Sequence, residues 1–365
     1  MNQPACIGIL TGGGDCPGLN AVIRSVVQTA VRHYGARVLG IEDGFEGLVE
    51  GRMRELTLSN TEGILPDGGT ILGTSNKGDP WHYHQTQADG SVVLVNCADR
   101  MLANARAWGL DCLIVVGGDG TMQLAGKFAE MGIPIVGVPK TIDNDLAATD
   151  QTFGFDTATA AVCEALDKLA TTASSHHRVM VVEVMGRSAG WIALWGGLAG
   201  AADVILLPEV DWDWAPVCDK VKARHEEGMR YSLLCVAEGA KLPGKGEQIL
   251  IRDERLTDPV RLGGIGSVVA REIEARTGLE ARVTVLGHLQ RGGSPTSFDR
   301  VLSIRFGTLA AACACTGKTG VMVSLKGAEV VTVPITDALA PRKVIPVDHP
   351  VLQMARQLGV CLGDI

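Results

Sequence analysis

Short apolar runs alternate along the chain with longer segments whose apolar positions recur every three or four residues. Cys6–Leu10, Val38–Ile41, Cys112–Val116, Ile133–Val138 and Val179–Val184 are nearly unbroken apolar runs of strand length, as expected for parallel strands buried on both faces. Leu19–Tyr34, Ala98–Trp108, Met122–Met131 and Thr157–Thr172 carry the helical period. The same alternation returns later, with strands expected at Val204–Leu207, Tyr231–Ala237, Val283–Leu286 and Val321–Leu325. Their helices are expected at Pro216–Glu227, Ser267–Thr277 and Arg300–Cys315. Strand followed by helix, repeated, predicts an α/β fold of two doubly wound lobes with mainly parallel sheets and a cleft between them. Ligands of such folds bind beyond the carboxyl ends of the strands. Ala240–Gly264 breaks the rhythm: it is polar and glycine-rich and reads as a surface excursion.

Composition narrows this picture. The chain has 365 residues, enough for one or two cores. Its 46 glycines imply many turns or close approaches of backbone to a ligand. The net charge of -8 argues against a general nucleic-acid or membrane surface, so an anionic substrate has to be drawn by local cations. No run reaches about 18 unbroken apolar residues, and Met1–Leu10 lacks a signal-peptide pattern. The ten cysteines are scattered without zinc spacing and read as reduced thiols of a cytoplasmic protein.

Chemistry concentrates where strands end. Gly12-Gly13-Gly14-Asp15-Cys16-Pro17-Gly18 lies between the first strand and the first helix, where glycines let backbone N–H groups approach a phosphate. It is not a Walker loop, because no Gly-Lys-Ser/Thr follows. Gly117-Gly118-Asp119-Gly120-Thr121 repeats the arrangement after Cys112–Val116. A carboxylate beside a phosphate cradle repels its ligand unless it holds Mg²⁺, which makes Asp119 a metal candidate; a helix N-cap is its plainer alternative. A third loop, Pro139-Lys140-Thr141-Ile142-Asp143-Asn144-Asp145, follows Ile133–Val138. Phosphoryl transfer to an alcohol needs a group that accepts the hydroxyl proton, and Asp143 is the candidate base, against the alternative of an Asx-rich turn. His176 and His177 are read as polar residues near a helix end, and Trp191 and Trp195, at i, i+4, as packing residues.

The succession of Gly117–Thr121, Pro139–Asp145, Met185-Gly186-Arg187 and Leu286-Gly287-His288-Leu289-Gln290-Arg291-Gly292-Gly293-Ser294-Pro295 resembles the phosphofructokinase family, from about Ile7 to about Ala312. The resemblance implies transfer of a phosphoryl group to the 1-hydroxyl of fructose 6-phosphate, in the cytoplasm. Gly14, Lys77, Gly78, Gly118, Asp119, Gly120 and Thr121 would bind the donor, with Mg²⁺ on Asp119. Thr141, Ile142 and Asp143 would face the sugar hydroxyl. Met185, Gly186, Arg187 and Glu238 would line the sugar site. His288, Leu289, Gln290 and Arg291 would belong to the site of the 6-phosphate. Arg178 and Arg282 would reach that phosphate from a neighbouring subunit of a homotetramer or dimer with shared active sites. The donor lobe would comprise 1–139 with part of the C-terminal region, the fructose 6-phosphate lobe mainly 140–300, and 301–365 would pack back on both.

Two positions bear on the donor and disagree. Pyrophosphate-using relatives resemble this chain at Lys140, whereas bacterial ATP enzymes resemble it at Gly120. An Asp at 120 would add bulk and charge against a nucleotide's α-phosphate, so Gly120 favours ATP. Bacterial ATP enzymes carry an Arg in the segment after Gly69–Gly73, which here reads Thr74-Ser75-Asn76-Lys77-Gly78, with Lys77 the replacement charge one position later. Arg24 and Arg52 match the bacterial effector site, but Gln28 and Ala170 stand where regulated members have Arg, so the usual control by ADP and phosphoenolpyruvate is not expected. The rivals are a pyrophosphate-dependent phosphotransferase, an NAD or lipid kinase sharing the Gly117–Thr121 pattern, and a non-catalytic regulatory paralogue. The last would be expected to have lost Asp119 or Asp143.

Overall fold

The protein is described from a computed structural model, over residues 5–75, 78–87, 89–252 and 260–364. The chain forms two units. The first comprises Met1–Thr141, Leu146–Gly154 and Arg291–Arg342; the second comprises Ile142–Asp145, Phe155–Gln290 and Lys343–Ile365. The chain therefore passes from one unit to the other five times. Three of those passages fall inside motifs or charge clusters: after Thr141, after Gln290 and after Arg342.

The first unit is built on a seven-stranded sheet. Its strands run in the spatial order Glu329–Pro334, Val321–Lys326, Ile135–Pro139, Cys112–Gly117, Cys6–Thr11, Arg37–Ile41, Met53–Leu56. The five inner strands are parallel, and the two edge strands are antiparallel to their neighbours. Cys6–Thr11, Cys112–Gly117 and Ile135–Pro139 are buried along their whole length, which explains why they read as continuous apolar runs rather than alternating ones. Leu10, Leu113, Val115 and Ile135 from this sheet pack with Phe45, Met101, Ala125 and Phe128 from the helices in one core.

The second unit holds a four-stranded parallel sheet in the order Ala281–Val285, Val179–Val184, Ser232–Ala237, Val204–Leu206. Its core joins Val181, Leu206, Leu234 and Val236 to Val217, Val269 and Ile273 on the flanking helices. Buried Glu183 interrupts the apolar run of its strand. Its two carboxylate oxygens accept from the backbone N–H groups of Gly264 and Gly266, each at 2.8 Å, at the start of helix Ile265–Thr277.

The expected α/β class with mainly parallel sheets is the one observed, and every expected strand is present. Several features depart from expectation, among them the edge strands Met53–Leu56 and Glu329–Pro334 and the helices Phe45–Glu50 and Pro350–Gln357. The helix expected from Met122 begins at Asp119, because Gly118 takes the capping position. A hairpin of Tyr83–Thr86 and Val92–Val95 has an exposed face and so lacks the buried-strand pattern. The polar excursion contains two small ribbons, Lys241–Leu242 with Gly246–Glu247, and Ile249–Arg252 with Val260–Leu262. All ten cysteines are free thiols. Among the described residues no helix is long and apolar enough to cross a membrane.

Candidate active site

In the first unit the two glycine loops lie side by side at the carboxyl ends of neighbouring strands. The backbone N–H of Gly12 donates to the carbonyl of Val116 (2.9 Å). Buried Thr121 fills the space between the loops. A Cβ on Gly12 would meet the Thr121 side chain at 2.8 Å, and one on Gly117 would overlap it. Both glycines are thus required by close approach. The side chain of Thr121, a residue expected as a donor contact, packs between the two loops. Gly73–Ser75 lies against the first loop, with the Thr74 hydroxyl donating to the Gly13 carbonyl (2.5 Å) and the Gly13 N–H donating to Ser75 (3.4 Å). Gly78 lies against Glu46, while Lys77 falls outside the described residues.

Asp119 is the first residue of helix Asp119–Glu130 and not its N-cap. Its Oδ1 accepts from the Gln123 side chain (3.1 Å) and its Oδ2 from the guanidinium of Arg342 (3.2 Å). Among the described residues there is no group of three or more His, Cys, Asp or Glu side chains able to hold a metal. A single carboxylate at the edge of the loop does fit magnesium, which binds through one or two carboxylates and completes its shell with waters and substrate phosphates. Beside Asp119, Gly120 faces open space: a Cβ there would meet nothing within 4 Å.

Lys140 is buried at the end of its strand. Its backbone N–H donates to Gly117 (2.9 Å) and its ammonium donates to the carbonyl of Gly14. Arg291 donates to the next carbonyl, that of Asp15 (3.1 Å), and its guanidinium lies where a Cβ on Gly14 would sit. Two cations therefore hold consecutive carbonyls of the first loop. Buried Cys16 follows them, and its thiol is pushed up to about 12 by burial, against the opposing pull of Lys140 and Arg291. Thr141 accepts at its carbonyl from the Thr152 hydroxyl (2.6 Å).

In the second unit Ile142, Asp143, Asn144 and Asp145 are all buried. Asn144, between the two carboxylates, has a φ of 52°, a left-handed conformation that is uncommon outside glycine. Lys343 fixes this stretch: its ammonium donates to the Asn144 side chain (3.1 Å) and its N–H to the Asp145 carbonyl (2.7 Å). The Lys343 carbonyl accepts from the indole of Trp191 (2.9 Å), whose ring lies 5.4 Å from that of Trp195.

The Met185–Arg187 turn is similarly constrained. Gly186 has a φ of 138°, and a Cβ there would approach the Ala189 carbonyl to 2.5 Å. Arg187 follows with a φ of 52°. Its N–H donates to Glu238 (3.1 Å), while the Met185 N–H donates to buried Gln290 (2.9 Å). Burial is the first cause that raises the Glu238 carboxyl, to about 7, and the neighbouring charges of Asp143 and Glu183 act in the same direction. His288 and Leu289 are exposed in the short 3₁₀ turn Gly287–Arg291. Arg178 and Arg282 share one carboxylate, Glu280, with Arg178 at 2.8 Å.

Arg342 and Lys343 escaped the sequence reading. They are adjacent cations in a segment with no motif, and Arg342 meets Asp119 across 223 residues of chain. The one available signal was an adjacent basic pair in a C-terminal region of an otherwise acidic chain. The effector-position residue Arg52 is engaged by Asp43 (3.1 Å), Glu46 (3.8 Å) and Glu50.

A family model described as phosphofructokinase matches residues 6–314. The chain is 48% identical over 365 residues to a protein of Chloroflexus aurantiacus named ATP-dependent 6-phosphofructokinase, covering 98% of each. It is 50% identical over 360 residues to a protein of Streptomyces coelicolor named pyrophosphate–fructose 6-phosphate 1-phosphotransferase, covering 98% of this chain and 99% of that one. Among solved structures, that of Pichia pastoris phosphofructokinase in the T-state is similar with a TM-score of 0.78 at 30% identity. The match covers 98% of this chain and 39% of the Pichia chain.

Proposed function

Because the chain belongs to the phosphofructokinase family, we propose that it is an ATP-dependent 6-phosphofructokinase of glycolysis. It converts fructose 6-phosphate to fructose 1,6-bisphosphate. The observation that carries the choice of donor is the open space at Gly120, which leaves room for a nucleotide beside the second loop.

The first unit, in this reading, binds the donor. Backbone N–H groups of Gly14 and Gly118–Thr121 receive the phosphates, with Lys77 and Gly78 as further contacts. Asp119 holds magnesium, which when bound neutralises phosphate charge. Lys140 lowers the cost of charge developing on the transferred group. The second unit binds the sugar through Met185, Gly186, Arg187 and Glu238. Asp143 accepts the proton of the 1-hydroxyl as its oxygen attacks, with Thr141 and Ile142 beside the same hydroxyl. His288, Gln290 and Arg291 serve the 6-phosphate, with Leu289 in the same turn; charge-assisted donors suit a phosphate dianion. Arg291 also supports the first glycine loop, so its loss acts on both substrates.

A homo-oligomer with shared sites, tetramer or dimer, completes the reading. Arg178 and Arg282 would serve the 6-phosphate of a neighbouring copy. The edge strand Ala281–Val285 supports this, since Val283, Val285 and nearby Leu289 expose apolar surface. Ten free thiols support a cytoplasmic location.

Pyrophosphate is the second reading for the donor. It is favoured by Lys140, and the Streptomyces relative carries that activity in its name. A coupled assay with fructose 6-phosphate and either ATP or pyrophosphate separates them. Turnover with pyrophosphate alone would reverse the donor assignment, and no product with either would remove the kinase reading.

A further inference from the structure

The contact between Arg342 and Asp119 has no counterpart in the roles assigned above. Arg342 sits near the end of the first unit's last segment, and its Nε lies 3.2 Å from Asp119 Oδ2. Gln123, one helical turn after Asp119, holds the other oxygen at 3.1 Å. Both oxygens of the metal candidate are therefore engaged by the chain itself. One of the two partners is a full positive charge. The Arg342 side chain keeps 36% of its surface exposed, against 18% for Asp119.

An incoming polyphosphate meets an electrostatic problem here. An unneutralised Asp119 would repel it, and a carboxylate locked to an arginine is less available to a metal. We propose that Arg342 is a positioning residue that acts as the resident counter-cation of Asp119. It holds the carboxylate in place while no donor is bound, and turns its guanidinium to the donor's phosphate oxygens once the metal-bound donor takes up Asp119. Guanidinium suits both partners, because carboxylate and phosphate present similar oxygen pairs to its planar fork. The exchange conserves charge: one cation leaves the carboxylate as another arrives, and the displaced cation finds a new anion. This inference rests on the reading that Asp119 is the metal ligand.

Arg342→Ala makes opposite predictions for the two ligands. Mn²⁺ alone, titrated by water-proton relaxation without nucleotide, should bind about two- to fivefold more tightly, the range expected for loss of one accessible competing ion pair. The magnesium complex of a non-hydrolysable ATP analogue should bind about tenfold or more weakly, because a charge-assisted contact is lost. Arg342→Lys should recover part of the ATP binding. In the steady state KM for ATP should rise with kcat changed little. General damage to the loop would weaken both ligands together and overturn the proposal, as would unchanged Mn²⁺ affinity. Asp119→Asn separates the two layers. If it leaves Mn²⁺ affinity unaltered, the metal reading itself fails. If it weakens Mn²⁺ while Arg342→Ala has no effect, only the role of Arg342 fails.

Discussion

The ammonium of buried Lys140 donates to the carbonyl of Gly14, so this cation braces the first glycine loop. Lys140→Met should therefore cost stability as well as activity. It leaves a carbonyl without its charged donor, a loss of about 1–3 kcal/mol, read as a lower urea midpoint. Loss of a cation near the transferred group should lower kcat with ATP by about tenfold or more. A variant with normal stability and a low kcat would assign Lys140 to chemistry alone.

Gly120→Asp isolates the donor question. The added Cβ meets nothing within 4 Å, and the position lies in a helix, so the fold should tolerate the change. The new carboxylate should raise KM for ATP by about tenfold or more through repulsion of the donor's phosphates. Pyrophosphate, with no α-phosphate to meet, should be affected less. An unchanged kcat/KM for ATP would remove Gly120 as the determinant.

Sequence was informative where function and local pattern coincide. The strands Cys6–Thr11 and Cys112–Gly117 are buried on both faces, and Gly12 and Gly117 at their carboxyl ends are forced by the approach of Thr121. Both features leave a local trace. Arg342 and Lys343 leave none, because their partners are chosen by long-range chain return and not by spacing. The second role of Arg291 was hidden for the same reason: its partner, Asp15, lies 276 residues earlier. Helix start Asp119 was missed because Gly118 is a weak capping signal, whereas the apolar period begins only at Met122.

Glu238 should give stability a distinct pH dependence. Its carboxyl titrates near 7 in the folded chain, raised first by burial, and near 4.5 when unfolded. Between those values the folded state holds the extra proton, so this contribution is fully present below about pH 4.5 and is lost as pH rises through about 7. Its full size is at most about 3 kcal/mol. Glu238→Gln keeps an amide oxygen for the Arg187 N–H and removes the titration. Chemical denaturation of wild type and variant from pH 5 to pH 8 should show a falling component only in the wild type. Parallel profiles would mean that Glu238 is ionised throughout.

Asp143→Asn tests the proposed base. The residue is buried beside the left-handed Asn144, and the amide is nearly isosteric, so the loop should persist. Loss of a general base lowers kcat by about 10²–10⁴-fold. Fructose 6-phosphate affinity, measured by calorimetry without donor, should stay within about threefold, since the proton is accepted only as the bond forms. Turnover close to wild type would remove Asp143 from the reaction.

The edge strand Ala281–Val285 should decide both assembly and sugar affinity. Arg282 lies on it and Arg178 immediately precedes the neighbouring strand, and both are held by Glu280. The carboxyl of Glu280 is kept below its usual range, first by the hydrogen bond from Arg178. Val285 on the same strand is 53% exposed, so Val285→Glu places a charge on an apolar edge without disturbing a core. If this edge meets another copy, sedimentation velocity should show a smaller species. KM for fructose 6-phosphate should rise in the same variant, because Arg178 and Arg282 would lose access to a neighbour's phosphate. Arg282→Ala, which leaves the apolar edge intact, should raise that KM without changing the assembly. An unchanged sedimentation coefficient in Val285→Glu, with a normal KM, would exclude this strand from the interface.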